Sequence, residues 1–323
     1  MSCKNLKILI TGATGFVGKA LTAELNKTCT VVIASRSIEN VTIDLEHRKH
    51  DLLDPDRIPD MRDIDVVIHT AARVHVMDDN GKNQLAAFRA SNVSGTAALA
   101  NAAALAGVKR FIYLSSIKVN GESTTLGQPF TVADTPNPQD PYGISKMEAE
   151  QFLRELEIIS GIEIVIIRPP LVYGPGAKGN FYTMMKWVNK GAPLPLGAIK
   201  NRRSLVSLKN LVDLLKSCST HPAAAGSTFL VSDGEDISTP ELLSELAMAL
   251  GRPARLFPVP EHLVRSAANF LRKSALAERL CGSLQVEIEA TRSILGWSPP
   301  YSMQDELQIT AEAFLLESLG RKV

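Results

Sequence analysis

Short apolar runs alternate with helical patterns along the first half of the chain. The apolar runs have strand length and cover residues 8–10, 29–36, 65–69, 109–116 and 161–168. Helical spacing of apolar positions occurs at residues 19–25, 83–106 and 142–156. Repeated strand–helix alternation is typical of a parallel sheet with helices on both faces. The pattern therefore predicts an α/β fold with a doubly wound parallel sheet.

This alternation ends near residue 171, where glycine and proline become frequent. A short strand at residues 228–231 is predicted to return to the sheet. Helical patterns then recur at residues 240–250, 260–272, 286–295 and 302–319. We therefore expect a first domain over residues 1–170. A smaller, mostly helical portion over residues 171–323 should be interleaved with the last strands.

Residues 263–280 combine basic and apolar side chains. The members are Arg265, Arg272, Lys273 and Arg279 beside Leu263, Phe270, Leu271, Leu276 and Leu280. This composition is compatible with a helix that lies on a membrane surface. It is also typical of an amphipathic helix that packs on the core as a cap, and the pattern favours this second interpretation.

Composition and charge narrow the range of functions. The 323 residues carry a formal net charge of +1, so no electrostatic footprint for nucleic acid is visible. No apolar run approaches the roughly 20 residues that a membrane-spanning helix needs, and the first residues lead directly into a strand, without room for a signal peptide. The four cysteines are scattered and predict neither a metal site nor a disulfide framework. We therefore expect a soluble cytoplasmic protein.

Three glycines stand between the first predicted strand and the first predicted helix. Gly12, Gly15 and Gly18 are spaced Gly-x-x-Gly-x-x-Gly, which differs from the Gly-x-Gly-x-x-Gly dinucleotide fingerprint. Such a turn lets the backbone approach a pyrophosphate, whose charge meets free N–H groups at the helix N-terminus. The flanking strand and helix favour a dinucleotide-binding loop over a glycine-rich turn without a ligand.

The end of the second strand bears on which dinucleotide is bound. NAD sites usually place Asp or Glu there, whereas this chain has Arg36 between two serines. Arginine can pair with the 2′-phosphate of NADP, which favours NADP over NAD; the alternative is that Arg36 is a solvated surface residue. Asp51 and Leu52 would flank the adenine if the next strand ends there, or they form a polar turn before Pro55.

Ser116, Tyr142 and Lys146 form the candidate catalytic group. Tyr142 and Lys146 are four residues apart and share one helix face, while Ser116 ends a predicted strand. An ordinary tyrosine is a poor base at neutral pH. Lys146 and a positively charged oxidised nicotinamide would both favour the phenolate, so that Tyr142 can exchange a proton with a sugar hydroxyl or carbonyl. The alternative is a Tyr-x-x-x-Lys pair on an ordinary helix surface.

Several motifs together resemble the extended short-chain dehydrogenase/reductases, in the branch of nucleotide-sugar epimerases and reductases. They are TGATGFVG at 11–18, DL at 51–52, HTAA at 69–72, NVSGT at 92–96, LSSIKVNG at 114–121, YGISK at 142–146, RPPLVYGP at 168–175 and LGW at 295–297. The resemblance covers essentially the whole chain. It implies an NAD(P)-binding Rossmann domain over residues 1–170 and a portion over residues 171–323 that binds a UDP-sugar.

The resemblance also implies roles for single residues. The catalytic residues are Ser116, Tyr142 and Lys146. The cofactor-binding residues are Gly12, Thr14, Gly15, Phe16, Val17, Ser35, Arg36, Asp51, Leu52, Ala71, Ala72, Asn92, Ser115, Tyr142, Lys146 and Pro169. The substrate-binding residues are Ser116, Asn180, Arg203 and Arg279. Near Arg279 the chain departs from the pattern, because Cys281 and Gly282 stand where many relatives have Pro-Gly-Asp.

Two reactions at C4 of a nucleotide sugar fit this resemblance. A reductase of a UDP-4-keto-(6-deoxy-)N-acetylhexosamine, acting in O-antigen polysaccharide synthesis, would deliver hydride to C4 while Tyr142 protonates the oxygen. A UDP-glucose or UDP-N-acetylglucosamine 4-epimerase would instead keep NAD bound, oxidise C4 and return the hydride to the other face. Arg36 favours the reductase. Ile117 and Lys118 replace the Asp-Glu pair of dehydratases, so water elimination is not expected.

A third interpretation is a non-catalytic NAD(P)-sensing protein of the same fold, since a fold alone does not fix a function. The intact catalytic trio argues against it. The resemblance further implies a homodimer formed through the helices at 83–106 and 142–160. We expect no metal, no nucleic-acid partner and no stable membrane insertion.

Overall fold

Ten strands are assigned in the computed structural model, which describes residues 6–37, 45–54, 57–74 and 84–320. They are β1 (Lys7–Thr11), β2 (Thr30–Ser35), β3 (Glu46–Lys49), β4 (Val66–His69), β5 (Arg110–Leu114), β6 (Glu163–Arg168), β7 (Leu171–Tyr173), β8 (Arg203–Ser207), β9 (Thr228–Leu230) and β10 (Asp236–Ile237). Seven of them form a parallel sheet in the order β3-β2-β1-β4-β5-β6-β9. The other three form a small second sheet in the order β10-β8-β7.

Eleven α-helices lie in the same described ranges. They are α1 (Phe16–Leu25), α2 (Gln84–Phe88), α3 (Gly95–Leu105), α4 (Pro141–Ser160), α5 (Gly179–Asn189), α6 (Leu208–Thr220), α7 (Thr239–Ala249), α8 (Glu261–Phe270), α9 (Ser274–Cys281), α10 (Glu289–Leu295) and α11 (Met303–Ser318). A π-helix, Arg89–Ser94, joins α2 to α3, and short 3₁₀ turns occupy Ile117–Val119 and Pro222–Ala224.

The two faces of the main sheet bury separate apolar clusters. Ile8 and Ile10 pack in one cluster with α1 and α6, whereas Leu9 packs in the other with α3 and α4. Neighbouring residues of a strand point to opposite faces, so a continuous apolar run is needed where both faces are covered. A third cluster is formed mainly by α5, α7 and α11, with Phe181 and Phe314 among its members.

The predicted α/β fold, with a doubly wound parallel sheet and a helical C-terminal portion, is confirmed. The strand predicted at 228–231 forms β9, which pairs in parallel with β6. Residues of α6 and β9 also share the apolar cluster of β1. The division of the chain at residue 170 stays a prediction.

Two predicted helices are divided. The helix predicted at 83–106, of which residue 83 lies outside the described residues, consists of α2, the π-helix and α3. The segment 263–280 consists of α8 and α9, because Arg272 adopts a left-handed backbone with φ 54° and breaks the helix.

The C-terminal portion holds further differences. The helix predicted at 286–295 begins only at Glu289, since Val286 pairs with Phe130 in an isolated β-bridge. The sequence interpretation missed α5 and α6, although the buried positions Leu208, Leu211 and Leu215 of α6 have helical spacing.

The scattered cysteine pattern did not predict that any cysteine is disulfide-bonded. Cys218 and Cys281 are free and buried, whereas Cys29 is disulfide-bonded. Cys3 lies outside the described residues. Disulfide bonding depends on the distance between two Cβ atoms in the fold, which spacing along a chain does not fix.

Candidate active site

The glycine loop between β1 and α1 is shaped for close approach to an anion. Gly12 has φ +73°, and a Cβ there would lie 2.6 Å from the backbone nitrogen of Ala71. A Cβ on Gly18 would lie 2.1 Å from the carbonyl oxygen of Gly12, so α1 packs directly on the loop. Gly15 is the N-cap of α1 and no side chain caps the helix, which leaves N–H groups of the first turn available for a phosphate. Thr14, Phe16 and Val17 are part of this loop and first turn.

Arg36 lies at the carboxyl end of β2, as the sequence predicted. Its side chain is exposed and forms no ion pair or hydrogen bond with the described part of the chain. Ser35 hydrogen-bonds to Nε2 of His47 at 3.0 Å and donates to the carbonyl of Ser37 at 2.7 Å. A free guanidinium at this sheet edge is available to a ligand phosphate.

Asp51 and Leu52 follow β3 after one intervening residue and line a cavity of about 230 Å³ between that strand end and α3. Asp51 also accepts a hydrogen bond from the backbone N–H of Leu53 at 3.1 Å, which makes a polar turn. The two interpretations from the sequence are therefore compatible. Pro55 lies outside the described residues.

Asn92 holds the loop that follows β4. Its side chain accepts from the backbone N–H of Arg73 at 2.8 Å and donates to the carbonyl of Arg73 at 3.0 Å. It also donates to the hydroxyl of Ser145 on α4 at 3.1 Å. Asn92 is buried within the π-helix, a conformation often found at functional sites. It thereby fixes the loop of Ala71 and Ala72 against the helix that carries Tyr142.

The two serines at the end of β5 have different environments. Ser115 is buried, and its hydroxyl donates to the carboxylate of Glu150. Ser116 is only partly buried and begins the 3₁₀ turn, where its hydroxyl accepts from the N–H of Lys118 at 3.3 Å. The turn is fixed to the end of β6, because the N–H of Ile117 donates to the carbonyl of Pro169 at 2.9 Å. Ser116 therefore has the more available hydroxyl.

Tyr142 and Lys146 stand on the first turns of α4. Asp140 caps this helix by accepting from the N–H of Gly143 at 2.7 Å. The ring of Tyr142 packs edge-on against Phe88, with centroids 5.9 Å apart, and its hydroxyl has no hydrogen-bond partner among the described residues. Lys146 Nζ donates to the carbonyl of Leu114 at 2.8 Å and lies 5.9 Å from the centroid of the Tyr142 ring.

Burial dominates the electrostatics of this pair. It lowers the pKa of Lys146 to about 7, against the influence of Glu150. It raises the pKa of Tyr142 above its ordinary value, and Asp140 raises it further. In the protein alone the pKa of Tyr142 is therefore raised, because burial disfavours the charged phenolate. The expected lowering by Lys146 together with an oxidised nicotinamide stays a prediction.

A buried ionic network behind the catalytic group was missed. Glu150 accepts from Arg168 at 3.0 Å and 2.5 Å, as well as from Ser115. Arg168 in turn donates to the side chain of Asn120 at 2.9 Å. The only hint in the sequence is the position of Glu150 four residues after Lys146, on the same helix face. This network ties β5, β6 and α4 together at the sheet edge.

Lys118 was expected only as a departure from the dehydratase pattern. In the structure it forms ion pairs with Asp140 and, at 3.0 Å, with Glu122. Because Asp140 caps α4, this pair connects the turn that begins at Ser116 with the first turn of the helix that carries Tyr142.

Besides Ser116, the predicted substrate residues lie on three elements of the C-terminal portion. Arg203 starts β8 and donates to the carbonyl of Gly282 at 2.9 Å. Burial lowers its pKa, and Arg279 lowers it further, so the two guanidinium groups are electrostatic neighbours. Glu278 opposes this lowering and also lies near the Arg203 guanidinium. Asn180 is exposed on the first turn of α5. The role of Arg203 and Arg279 at a diphosphate stays a prediction.

A cleft of about 1020 Å³ borders the glycine loop on the side of α1 and α6. Its walls include Phe16, Lys19, Tyr182 and Tyr301, and the loop at residues 175–179 closes one end. Ser116, Tyr142 and Lys146 do not line it. The cleft is therefore separate from the catalytic trio.

Two negative findings apply to the described ranges alone. No helix within them has the length and apolar character needed to cross a membrane. No group of three or more His, Cys, Asp or Glu side chains there could hold a metal ion.

The chain is similar to known proteins in both sequence and fold. A family model described as the NAD dependent epimerase/dehydratase family matches residues 8–232. A UDP-glucose 4-epimerase from Vibrio cholerae is 47% identical over 312 residues, which are 95% of this chain and 95% of that protein. A GDP-6-deoxy-D-mannose reductase from Pseudomonas aeruginosa is 27% identical over 319 residues, which cover 94% of this chain and 95% of the reductase.

Among solved structures, a UDP-glucuronic acid 4-epimerase from Bacillus cereus in complex with NAD superposes with a TM-score of 0.77. The alignment covers 97% of this chain and 99% of that one, at 22% identity. At this identity the likeness shows that the two proteins share a fold.

Proposed function

Since this chain belongs to the NAD dependent epimerase/dehydratase family, we propose that it transfers hydride at C4 of a UDP-sugar, with Ser116, Tyr142 and Lys146 as its catalytic residues. The first candidate reaction is the reduction of a UDP-4-keto-(6-deoxy-)N-acetylhexosamine, as needed in O-antigen synthesis. The second is 4-epimerisation of UDP-glucose or UDP-N-acetylglucosamine.

Family membership confirms three predictions made from the sequence. The chain resembles nucleotide-sugar epimerases and reductases, it is an enzyme, and its cofactor is a nicotinamide dinucleotide. The choice between NAD and NADP and the identity of the sugar belong to the proposal.

The residues present fit a dinucleotide. The glycine loop and the uncapped N-terminus of α1 accommodate the pyrophosphate. Asp51 and Leu52 would lie against the adenine, and Asn92 holds the loop of Ala71 and Ala72 in place. When bound, the nicotinamide ring supplies or accepts the hydride.

In this mechanism Tyr142 moves the proton of the C4 oxygen. Ser116 donates a hydrogen bond to the same oxygen, so that the carbonyl is polarised in the transition state. Lys146 holds the ribose of the nicotinamide and contributes positive charge. Since burial raises the pKa of Tyr142, the neutral phenol is the stable form in the protein alone, and this form is the acid that a ketone reduction requires.

Arg36 carries the choice of the reductase as first candidate. It is exposed, free of partners in the described part of the chain, and placed at the strand end where the 2′-substituent of the adenosine ribose is recognised. A guanidinium there favours the 2′-phosphate of NADPH, and a reductase consumes its reductant in every turnover.

The similarity to the Vibrio cholerae protein supports the second candidate, because that relative is named a UDP-glucose 4-epimerase. An epimerase would use the same trio to oxidise C4 and then reduce the 4-keto sugar from the opposite face. It would retain its NAD throughout.

The decisive experiment identifies the dinucleotide released when the purified protein is denatured, and then titrates NADPH and NADH against the dinucleotide-free form. Preference for NADPH, together with NADPH consumption when a UDP-4-keto sugar is added, is expected for the reductase. Stoichiometric, tightly bound NAD and turnover without consumption of cofactor would replace it by the epimerase.

The variant Arg36→Asp tests whether Arg36 recognises the 2′-phosphate of NADPH. It should abolish the preference for NADPH by repulsion of the 2′-phosphate, whereas Lys200→Asp, which makes the same change of charge at an exposed lysine elsewhere, should not. An unchanged preference in Arg36→Asp would reduce Arg36 to a surface residue.

The homodimer and the cytoplasmic location stay predictions. The predicted dimer interface consists of the helices at 83–106 and 142–160, on which Leu105, Ile158 and Ile159 are exposed. The alternative of a non-catalytic NAD(P) sensor would leave the Ser116, Tyr142 and Lys146 arrangement without a purpose.

A further inference from the structure

The α8–α9 hairpin, residues 261–281, presents an apolar stripe to solvent. Leu263, Ala267 and Phe270 are spaced four and three residues apart, so they lie along one side of α8, and Leu271 follows at its C-terminal end. Phe270 is 88% exposed, Leu271 62% and Leu263 51%, and no residue of α8 is buried. Single exposed apolar residues are normal, but a stripe of this kind marks an interaction surface.

Packing within the protein uses a different side of the same helix. Val264 packs against the third apolar cluster, which is formed mainly by α5, α7 and α11, and so does Leu280 of α9. The sequence pattern favoured a helix whose apolar face covers the core. The structure shows that the apolar face of α8 is wider than the surface it covers, and that the part containing Phe270 remains outside.

Positive charge surrounds the outer stripe. Residues 261–281 contain four basic and two acidic side chains. Arg265 pairs with both acidic groups, with Glu261 at 2.7 Å and with Glu278 at 2.6 Å. Arg272 and Lys273, which follow Leu271 directly, form no ion pair within the described ranges. The tip of the hairpin therefore joins exposed apolar side chains to unpaired cations.

Arg272 occupies its position at a conformational cost. Its φ of 54° makes it the one non-glycine residue with positive φ in the described part of the chain. Glycine adopts this left-handed conformation at helix ends without strain, and arginine does not. Helix termination alone would be served better by glycine, so the cation itself calls for an explanation.

We propose that the α8–α9 hairpin docks on a membrane surface that carries anionic lipids. Phe270 and Leu271 enter the boundary between headgroups and acyl chains, while Arg272 and Lys273 contact lipid phosphates. The combination of apolar stripe and adjacent cations matches this partner. A second copy of the chain would bring two positive tips together, which like-charge repulsion opposes. The docking is peripheral and does not depend on the proposed reaction.

The hairpin would place a sugar site close to the lipid surface. Arg279 lies six residues after Lys273 along α9, a distance of about 9 Å at the rise of an α-helix. Arg279 is also the electrostatic neighbour of Arg203. Docking at the tip would therefore hold this pair of arginines near the headgroups.

Sedimentation of the full-length protein with phosphatidylcholine vesicles, with and without about one-third phosphatidylglycerol, tests the proposal. The wild-type protein should bind the anionic vesicles, bind pure phosphatidylcholine far less, and dissociate as salt is raised. Phe270→Ser should weaken partition about tenfold or more. Arg272→Gly and Lys273→Ser should each weaken it about fivefold.

Two control variants separate this surface from general stickiness. Met248→Ser removes an apolar side chain that is 68% exposed on α7, and Lys200→Ser removes an exposed cation elsewhere. Both should bind vesicles as the wild type does. Arg272→Gly relieves backbone strain, so loss of its vesicle binding cannot be assigned to misfolding.

Three outcomes would overturn the proposal. One is absence of binding to anionic vesicles by the wild-type protein. Another is unchanged partition in both Phe270→Ser and Arg272→Gly. The third is a change of oligomeric state in Phe270→Ser at unchanged vesicle binding, which would assign the stripe to a contact between protein copies.

Discussion

Helices α4 and α8 show two opposite ways in which this protein uses basic side chains. Helix α4 is capped by Asp140 at its start and ends at Gly161 in the left-handed conformation, and its Lys146 is buried. Helix α8 has no side-chain cap, buries none of its residues, and ends beside a strained arginine.

The difference lies in the number of partners. Lys146 has a fixed acceptor at Leu114 and the ring of Tyr113 at 4.4 Å, so its position is defined for one task. Arg272 and Lys273 have no such partners in the described ranges and act through their joint field. A buried cation is suited to chemistry at one atom, and unpaired exposed cations are suited to a broad anionic surface.

Removal of the Tyr142 hydroxyl should have the largest effect. We expect Tyr142→Phe to lower kcat by about 10²–10⁴-fold, because the proton of the C4 oxygen loses its carrier. Cofactor affinity, measured by fluorescence titration, should change little. Tyr182→Phe, at a ring that packs on Phe314, is the matched control and should retain activity. Full activity in Tyr142→Phe would refute the role of Tyr142 as the group that moves the proton of the C4 oxygen.

Two glutamates on α4 allow the stability contribution of a buried ion pair to be compared with that of an exposed one on the same helix. Glu150→Ala leaves Arg168 buried without its carboxylate and should lower the free energy of unfolding by about 3–5 kcal/mol. Glu148→Ala breaks the exposed pair with Arg89 and should cost at most about 1 kcal/mol. Urea denaturation measures both. Equal losses of stability in the two variants would show that the buried pair of Glu150 contributes no more than the exposed pair of Glu148.

Lys146 should make stability depend on pH. Its folded-state pKa of about 7 lies below the ordinary 10.5, so the unfolded chain binds more protons between these values. Stability should therefore rise from pH 7 to pH 9, and each pKa unit corresponds to about 1.36 kcal/mol. Lys146→Met should lose this contribution and be more stable than the wild type at pH 7. Parallel stability curves for the two proteins would show that Lys146 is not penalised by burial.

The smallest effect is expected at the end of α8. Arg272→Gly should raise the free energy of unfolding by about 1 kcal/mol, because glycine adopts positive φ without a Cβ penalty. Thermal denaturation measures the change, and Lys273→Gly at φ −117° is the control that should not stabilise. A destabilised Arg272→Gly would mean that the arginine has a structural partner after all.

The sequence predicted those parts of the site that depend on local spacing. A strand, three glycines and a helix define the loop around Gly12, and four residues separate Tyr142 from Lys146 on one helix face. Ser116 could be placed near them because the carboxyl ends of parallel strands meet at one edge of the sheet.

Features that depend on contacts across the chain were not predictable in this way. Glu150 meets Arg168 only after α4 has packed on β6, and Lys118 finds Asp140 across a long loop. The direction of the pKa shift at Tyr142 follows from burial, which is a property of the whole fold. The break between α8 and α9 was hidden because Arg272 stands where glycine would have indicated it.

The pairing of β9 with β6 also has a consequence for the order in which the chain is synthesised. Until residues 228–230 emerge from the ribosome, β6 has an open edge with unpaired N–H and C=O groups, and such edges are prone to aggregate. The intervening segment of about 60 residues takes on the order of 3–12 s to translate. During that interval the nascent N-terminal half remains competent for folding only if chaperones cover this edge or if aggregation is slower than translation.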